Sequence, residues 1–296
     1  MWAPAGTADA TTPPEPDDTR DDAIDADLDD LALDNDLALA LELADLADRV
    51  AMERFRAVDL RVDTKPDRTF VTEADLAVER GVRELISQRR PGDGVLGEEF
   101  GTEGSGSRQW IVDPIDGTSN FLRGVPVWGA LIALTVDGVP VVGVASMPAL
   151  GRRWWGAQGL GAFTTDGPGA EPRAIRVSQV GDLADASLSF QSLAQWRDAG
   201  QLEQLLALGE RVWRDRAYGA LWSYCLLAEG LVDIVAEFDL KPWDIAAVVP
   251  IVEAAGGRVT STGGGVLGNG SVLATNGRLQ DAVLDVIGGG APSGRG

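Results

Sequence analysis

WIVDPIDGTSNF, residues 110–121, runs three apolar residues directly into two aspartates, Asp113 and Asp116, with Pro114 between them. Two carboxylates this close repel each other, and burial raises the cost of that repulsion. The pattern is therefore typical of a strand that leads into a site for a divalent cation. The carbonyl of Ile115 lies between the two aspartates, so three oxygen ligands within four residues can serve an octahedral ion.

The residues after Asp116 predict an anion site beside this cation. Gly117 has no Cβ, so a tetrahedral anion can approach the backbone closely. The N–H groups of Gly117, Thr118 and Ser119 lie at a predicted helix start, where a phosphate group is favoured. A metal site next to a phosphate site indicates a chain that binds a phosphate ester and uses the metal to lower the pKa of a bound water molecule.

The composition restricts the chemistry further. Of the 296 residues, 45% are hydrophobic and 24% are charged, as in an ordinary globular protein. The chain contains no histidine, which excludes histidine bases, Ser-His-Asp and Cys-His mechanisms, and histidine metal ligands. Any metal must then be held by oxygen atoms, and oxygen ligands select hard ions such as Mg²⁺, Mn²⁺ or Ca²⁺.

Charge and hydropathy predict the cellular location of the protein and exclude some classes of binding partner. It has no uninterrupted apolar run of about 18 residues and no basic start followed by an apolar stretch, so we expect neither a membrane span nor a secretory signal. The single cysteine, Cys225, cannot form an internal disulfide, which fits a cytoplasmic location. The net charge of −21 disfavours nucleic-acid binding, because phosphate backbones bind basic surfaces.

The distribution of charge and the pattern of predicted helices and strands divide the chain into four parts. Residues 1–36 contain twelve acidic residues and one arginine, which predicts a disordered acidic tail. Residues 37–180 show two amphipathic helices followed by strands, and residues 181–290 alternate between helices and strands. We therefore expect an N-terminal α+β subdomain with the metal site and a C-terminal α/β subdomain. Residues 291–296 are expected to form a flexible tail.

Two helices can be predicted with their ends. Thr72 precedes an amphipathic segment over residues 73–90 and is placed to cap it, with Asp75 in the first turn. Residues 243–257, WDIAAVVPIVEAAGG, predict one helix that Gly256 terminates.

Four more acids stand where an apolar context normally excludes charge. Glu98 and Glu99 follow GVLG, Asp244 follows a tryptophan, and Asp75 opens a helix. Taken singly, each is explained as a helix cap, a partner of the helix dipole or a solvated turn residue. Together with the two aspartates of residues 110–121, they favour a shared metal site.

Three motifs together resemble the inositol monophosphatase superfamily: GEE at 97–99, WIVDPIDGTSNF at 110–121 and PWDIAAVVPIVEAAGG at 242–257. The resemblance implies an α/β fold, a layered αβαβα sandwich of the inositol monophosphatase/fructose-1,6-bisphosphatase type, assembled as a homodimer. It also implies a phosphomonoesterase that acts on a small-molecule phosphate ester with two or three Mg²⁺ ions, for which Mn²⁺ is a possible substitute.

The resemblance also implies roles for individual residues. Asp75 and the Thr118 hydroxyl would orient the attacking water, and Glu98 would join them as a catalytic residue. Lys65 would help to anchor a third ion. The implied metal ligands are Glu98, Asp113, the Ile115 carbonyl, Asp116 and Asp244. The implied substrate contacts are Asp116, Gly117, Thr118, Ser119, Arg216, Glu237 and Asp244.

Three longer stretches resemble the actinobacterial histidinol-phosphatase branch of this superfamily: DTKPDRTFVTEAD, RGVPVWGALIAL with RRWWGAQGLGAF, and RVWRDRAYGALWSYCLLAEGLVDIVAE. They predict hydrolysis of L-histidinol phosphate in histidine biosynthesis. One departure is Ala220, because that branch carries an acidic residue at this position. The alternatives are an inositol-1-phosphate or broad sugar-phosphate phosphatase and, in another class, a non-catalytic binding or assembly module.

Overall fold

The computed structural model describes residues 19–65, 70–264 and 270–288. The α-helices in these ranges are α1 (Thr19–Arg54), α2 (Glu73–Arg89), α3 (Thr118–Arg123), α4 (Leu193–Asp198), α5 (Leu202–Gly209), α6 (Trp222–Ala228), α7 (Pro242–Ile245), α8 (Val248–Ala254) and α9 (Gln280–Gly288). The strands are β1 (Val62–Thr64), β2 (Phe70–Thr72), β3 (Gly94–Gly97), β4 (Gly101–Glu103), β5 (Arg108–Asp116), β6 (Gly129–Val136), β7 (Val139–Met147), β8 (Arg152–Ala157), β9 (Gly161–Thr165), β10 (Arg173–Ala174), β11 (Ser187–Ser189), β12 (Arg214–Arg216), β13 (Ile234–Phe238), β14 (Arg258–Thr260) and β15 (Ser271–Thr275).

The strands form a hairpin and two mixed sheets. β1 and β2 pair with each other, eight strands follow the order β10-β9-β8-β7-β6-β5-β3-β4, and five follow the order β12-β11-β13-β15-β14. In the large sheet β3 runs parallel to β5, and the other neighbours are antiparallel. In the small sheet β11 runs parallel to both β12 and β13.

Side chains that alternate along the large sheet enter two different cores. Trp110 and Val112 of β5 pack with α1 and α2 on one face. Ile111 of the same strand enters a core on the other face, where α6 and α8 also pack. This alternation is what successive residues of a strand produce, and it places helices on both sides of the sheet.

The small sheet repeats this arrangement. Val235 of β13 enters the core shared with α6 and α8, whereas its neighbours Ile234 and Ala236 pack with α4, α5 and α9. The layers are therefore α1 with α2, the large sheet, α6 to α8, the small sheet, and α4, α5 with α9. This order confirms the predicted αβαβα sandwich. Among the described helices, none combines the length and apolar character needed to cross a membrane.

The predicted boundary of the acidic tail is wrong at its C-terminal end. α1 begins at Thr19, and Asp36 within it is only 2% exposed. The Asp36 carboxylate accepts hydrogen bonds from Arg90 and Arg108, which lie 54 and 72 residues further along the chain. Composition could not show this pairing, because it depends on distant residues that neutralise the charge.

The remaining domain predictions stay predictions. Residues 1–18 and 291–296 lie outside the described residues. The proposed division between residues 180 and 181 falls between the two sheets, but the middle core takes Ile111 from one side of it and Val235 from the other.

One helix prediction is confirmed and the other is wrong. Thr72 caps α2, because its hydroxyl accepts from the Ala74 N–H while the Asp75 carboxylate accepts from the Thr72 N–H. The predicted single helix over 243–257 is instead two helices, α7 and α8. Pro250 explains the break, since a proline ring conflicts with the carbonyl four residues earlier and has no N–H to donate.

Candidate active site

A β-bulge in β5 brings the two aspartates of the DPID motif to one side. The strand includes both aspartates, since it continues to Asp116. Asp113 pairs with Leu131 and Asp116 pairs with Gly129, so three steps along β5 correspond to two along β6. In a regular strand, residues three apart face opposite sides, and the extra residue cancels that difference.

Three carboxylates converge at this bulge. Asp113, Asp116 and Asp244 each offer an oxygen within 4.8 Å of the other two. Asp244 reaches the site from the first turn of α7, where its Oδ2 accepts the Lys241 N–H at 2.7 Å. Asp113 is only 2% exposed. The structure therefore brings together three of the predicted metal ligands from two distant parts of the chain.

Burial and mutual repulsion raise the pKa of each member of this cluster. The pKa of Asp113 lies well above its usual value, first because of burial and then because of the charges of Glu98, Asp116 and Asp244. Burial, followed by the charge of Asp244, raises the pKa of Asp116 to about 7. Burial raises the pKa of Asp244 to about 6. Such a set of hard oxygen donors fits a divalent cation, which would offset the repulsion.

Glu98 lies beside this cluster but binds a lysine. Its Oε1 accepts a hydrogen bond from Lys65 Nζ at 2.8 Å, and the same ammonium donates to Glu99 Oε1 at 2.8 Å. Glu98 lines the same cleft as Asp113, and its charge contributes to the raised pKa of that residue. The structure therefore places Glu98 next to the three aspartates, with Lys65 as its counter-charge.

Asp75 and Thr118 also meet in this region. Asp75 is fully buried, and burial raises its pKa to about 6. Its Oδ2 accepts the Thr72 hydroxyl and N–H, while its Oδ1 lies 3.5 Å from the Thr118 hydroxyl. That hydroxyl donates to the Ile115 carbonyl at 3.0 Å. The two side chains predicted to orient water are thus neighbours.

Gly117 makes the turn between the bulge and α3. Its φ is 85°, a left-handed conformation that costs an L-residue about 1–2 kcal/mol. A Cβ at this position would also lie 3.1 Å from the Val127 carbonyl oxygen. The glycine is therefore needed to place Thr118 and Ser119 at the start of α3.

Replacing Gly117 with alanine will lower both stability and activity. We expect a loss of about 1–2 kcal/mol in the free energy of unfolding from the backbone strain, and a fall in kcat/KM because Thr118 moves. Gly138→Ala is the matched control, since Gly138 has a φ of 81° with open space around it, at a hairpin outside the cleft. It should lose similar stability and keep its activity. A fully active Gly117→Ala enzyme would contradict this role.

Most of the predicted site residues line one cleft of about 660 Å³, and the buried Asp75 lies outside its lining. The cleft also contains residues that sequence reasoning missed. Gln191 follows β11, and its Oε1 accepts the Ala220 N–H at 3.1 Å. The next N–H, of Leu221, donates to Asp116. Gln191 could have been found from its position at the C-terminal end of a parallel strand, where ligands commonly bind in α/β sheets. The full lining is Phe70, Glu98, Asp113, Ile115, Asp116, Gly117, Thr118, Ser119, Asn120, Gln191, Ser192, Gln195, Tyr218, Gly219, Ala220 and Asp244.

Two predicted substrate contacts lie outside this lining. The Arg216 side chain is 58% exposed on β12, the edge strand of the small sheet, and donates to the Asp215 carbonyl. Glu237 is 2% exposed and accepts a hydrogen bond from the Tyr224 hydroxyl at 3.1 Å. Burial raises the pKa of Glu237 to about 8. The structure does not bring either side chain to the wall formed by the described residues, and their roles stay predictions.

Comparison with known proteins identifies similar sequences and structures. Residues 32–287 match the inositol monophosphatase family. The chain is 58% identical over 260 residues to the histidinol-phosphatase of Mycobacterium tuberculosis, which covers 86% of this chain and 99% of that protein. It is 51% identical over 258 residues to the histidinol-phosphatase of Streptomyces coelicolor, covering 86% and 97%. The inositol monophosphatase structure from Anabaena superposes with a TM-score of 0.76 at 30% identity, covering 88% of this chain and 98% of that one.

Proposed function

Because this chain belongs to the inositol monophosphatase family and is a phosphoric monoester hydrolase, we propose that it hydrolyses L-histidinol phosphate to L-histidinol and phosphate. The observation that carries the choice of substrate is the identity of 58% and 51% to two histidinol-phosphatases across 86% of the chain. The family is metal-dependent, and the cluster of three aspartates in the cleft supports the same chemistry here.

We assign Mg²⁺ to the carboxylate cluster, as two or three ions, with Mn²⁺ as a possible substitute. Asp113, Asp116 and Asp244 would hold it together with Glu98 and the Ile115 carbonyl. The oxygen-only donors support a hard cation, since no histidine is present in the chain. When bound, the metal neutralises phosphoryl oxygens and lowers the pKa of water.

The side chains around the cluster would position the reactants. The Asp75 Oδ1 and the Thr118 hydroxyl are 3.5 Å apart and can orient one water molecule for in-line attack on phosphorus. Asp75 Oδ1 would take the water proton while the ester bond between phosphorus and the L-histidinol oxygen breaks, and that oxygen would leave with a proton from solvent. A pKa of about 6 suits a base that works near neutral pH. Backbone N–H groups at Gly117, Thr118 and Ser119 would hold the phosphoryl oxygens. Positioning and charge neutralisation supply most of the rate enhancement in such phosphoryl transfers.

The side chains in the cleft wall favour a substrate whose leaving group donates hydrogen bonds. Ala220 provides no carboxylate where the histidinol-phosphatase branch carries one, but Gln191 and Gln195 line the same cleft. The Gln195 Oε1 is buried and has no hydrogen-bond partner among the described residues. If the side chain turned into the cleft, an amine or imidazole N–H of histidinol would pair with this oxygen, which matters because an unpaired buried acceptor is costly.

Glu237 and Arg216 have less structural support than the two glutamines as contacts to the leaving group. The Glu237 Oε1 is also buried without a partner in the described part of the chain, and this side chain would have to turn to reach the substrate. Arg216 would have to move from its exposed position on β12 to reach the cleft. Assembly as a homodimer and a cytoplasmic location remain predictions of the family resemblance and the composition.

A substrate panel tests the proposed function. We expect kcat/KM with Mg²⁺ to be at least about tenfold higher for L-histidinol phosphate than for myo-inositol 1-phosphate or a hexose phosphate, which corresponds to about 1.4 kcal/mol of transition-state stabilisation. Ala220 is the observation that favours the inositol or sugar-phosphate alternative. A tenfold preference for inositol phosphate would overturn the histidinol assignment, and no turnover of any phosphomonoester would favour a non-catalytic module.

A further inference from the structure

Glu79 is a buried carboxylate that the proposed mechanism does not use. It lies on α2 with no exposed surface. Its Oε2 accepts the Glu99 N–H at 2.7 Å, and its Oε1 accepts the Phe100 N–H at 3.1 Å. One carboxylate thus binds the two backbone N–H groups that follow Glu98 directly.

Arg83 completes this arrangement one helical turn later. Its Nε donates to Glu79 Oε1 at 2.8 Å, and its side chain is only 10% exposed. The same guanidinium donates to the Gly101 carbonyl. A buried carboxylate is costly unless its oxygens are paired, and here an arginine and two N–H groups pair them. The pair therefore holds the backbone of residues 99–101 against α2.

Gly97 provides the space in which this carboxylate lies. A Cβ at Gly97 would fall 2.0 Å from Glu79 Oε1, closer than any real contact. The residue ends β3, where it pairs with Val112 of β5. Its glycine is required by the close approach of the carboxylate, because the backbone there does not adopt a left-handed conformation.

These contacts fix the backbone on both sides of Glu98. On one side the Glu98 N–H donates to the Val112 carbonyl at 3.2 Å, which ties it to the strand that carries Asp113. On the other side Glu79 holds the next two N–H groups. A ligand whose flanking backbone is held loses little freedom when it binds, and such supporting groups tune metal affinity.

We propose that Glu79 is a positioning residue that aims Glu98 at the carboxylate cluster, with Gly97 as the residue that admits it. The proposal rests on the metal-binding role proposed for Glu98. It predicts that Glu79 controls metal affinity without touching the metal or the substrate.

The test measures metal binding directly on the full chain, by titrating Mn²⁺ and following free Mn²⁺ by electron paramagnetic resonance. Glu79→Gln keeps the shape but turns one acceptor into a donor, which leaves a backbone N–H unpaired. We expect its Mn²⁺ affinity to fall about tenfold or more, as is typical when a group that supports a ligand is changed. Glu84→Gln is the matched control on the same helix, because Glu84 is exposed, and it should bind like the unmodified protein.

Kinetics separate positioning from direct ligation. The Mg²⁺ concentration for half-maximal activity should rise for Glu79→Gln, and kcat should recover largely at saturating Mg²⁺. Glu98→Gln, which removes the ligand itself, should not recover. A purely structural role would lower thermal stability equally with and without metal and leave the Mn²⁺ affinity unchanged, which would overturn the proposal.

A second variant keeps the proposal testable if Glu79→Gln folds poorly. Gly97→Ala should weaken Mn²⁺ binding as Glu79→Gln does, because its Cβ displaces the carboxylate. In a Glu79→Ala background the same change should cause little additional loss, since the conflicting atoms are gone. Additive losses would contradict the proposed contact.

The outcomes for Glu98 distinguish the two proposals. If Glu98→Gln leaves Mn²⁺ affinity unchanged, the metal role proposed for Glu98 fails. If Glu98→Gln weakens binding while Glu79→Gln behaves like Glu84→Gln, only the positioning role of Glu79 fails.

Discussion

Replacing Asp113 with asparagine will lower Mg²⁺-dependent kcat by about a thousandfold or more while leaving the fold intact. Asp113 is 2% exposed and belongs to the three-carboxylate cluster, so water would screen little of its attraction for a bound cation. Asparagine has nearly the same shape but no charge. The measurement is kcat at saturating L-histidinol phosphate and Mg²⁺, with circular dichroism to check the fold.

The same variant will be at least as stable as the unmodified protein when metal is removed. The charges of Glu98, Asp116 and Asp244 all disfavour ionised Asp113, so the neutral amide relieves repulsion. Asp137→Asn is the matched control, because Asp137 is exposed on the β6–β7 hairpin and should change neither activity nor stability appreciably. Activity like that of the unmodified protein in Asp113→Asn would remove the metal assignment.

The metal-free protein will lose stability as pH rises from about 4 to 8, and Mg²⁺ will reverse the loss. The pKa of Asp116 is raised to about 7, that of Asp244 to about 6 and that of Glu237 to about 8, in each case first by burial. Groups with raised pKa hold protons in the folded state that the unfolded chain has already released. The stability that these groups contribute is therefore largest below the ordinary carboxyl pKa of about 4, falls as pH rises from there to the raised values, and is constant above them.

The size of this effect follows from the shifts. One pKa unit corresponds to about 1.4 kcal/mol, so several buried acids together give a change on the order of several kcal/mol in the free energy of unfolding. Denaturant unfolding in a chelator at pH 5.5, 7 and 8.5, repeated with Mg²⁺, measures it. Mg²⁺ should stabilise most at the highest pH, where it no longer competes with protons.

The slope of stability against pH has its own control. Asp113→Asn should show a shallower slope without metal, because one of the repelling carboxylates is gone. Metal-free stability that rises over this pH range would show that the acids are not packed together as described.

The local motifs could be predicted from the sequence because the residues of each motif lie close together in the chain. Asp113, Asp116 and Gly117 stand in one turn, and a pair of close carboxylates followed by a helix start indicates a metal beside an anion. The Thr72 cap could be predicted for the same reason, since a capping box spans only four residues. The helix over 243–257 was predicted as one piece because its apolar pattern outweighed the signal of Pro250.

Other features depend on partners that are distant in sequence. The sequence places Asp36 in the acidic tail, whereas in the structure it forms ion pairs with Arg90 and Arg108. Glu79 looked like an ordinary residue of an amphipathic helix, and only its contact with the turn after β3 reveals a role. Gln191 enters the cleft because β11 ends beside the turn at Ala220.

The sequence by itself determined which atoms are available: carboxylate oxygens in place of histidine, a glycine turn for an anion, and the alternation that builds an αβαβα sandwich. Only the tertiary structure decided which of these atoms meet. The bulge that turns Asp113 and Asp116 to the same side is a matter of register against β6, and the approach of Asp244 depends on how α7 packs. Both come from contacts between segments far apart in the chain, which local spacing does not encode.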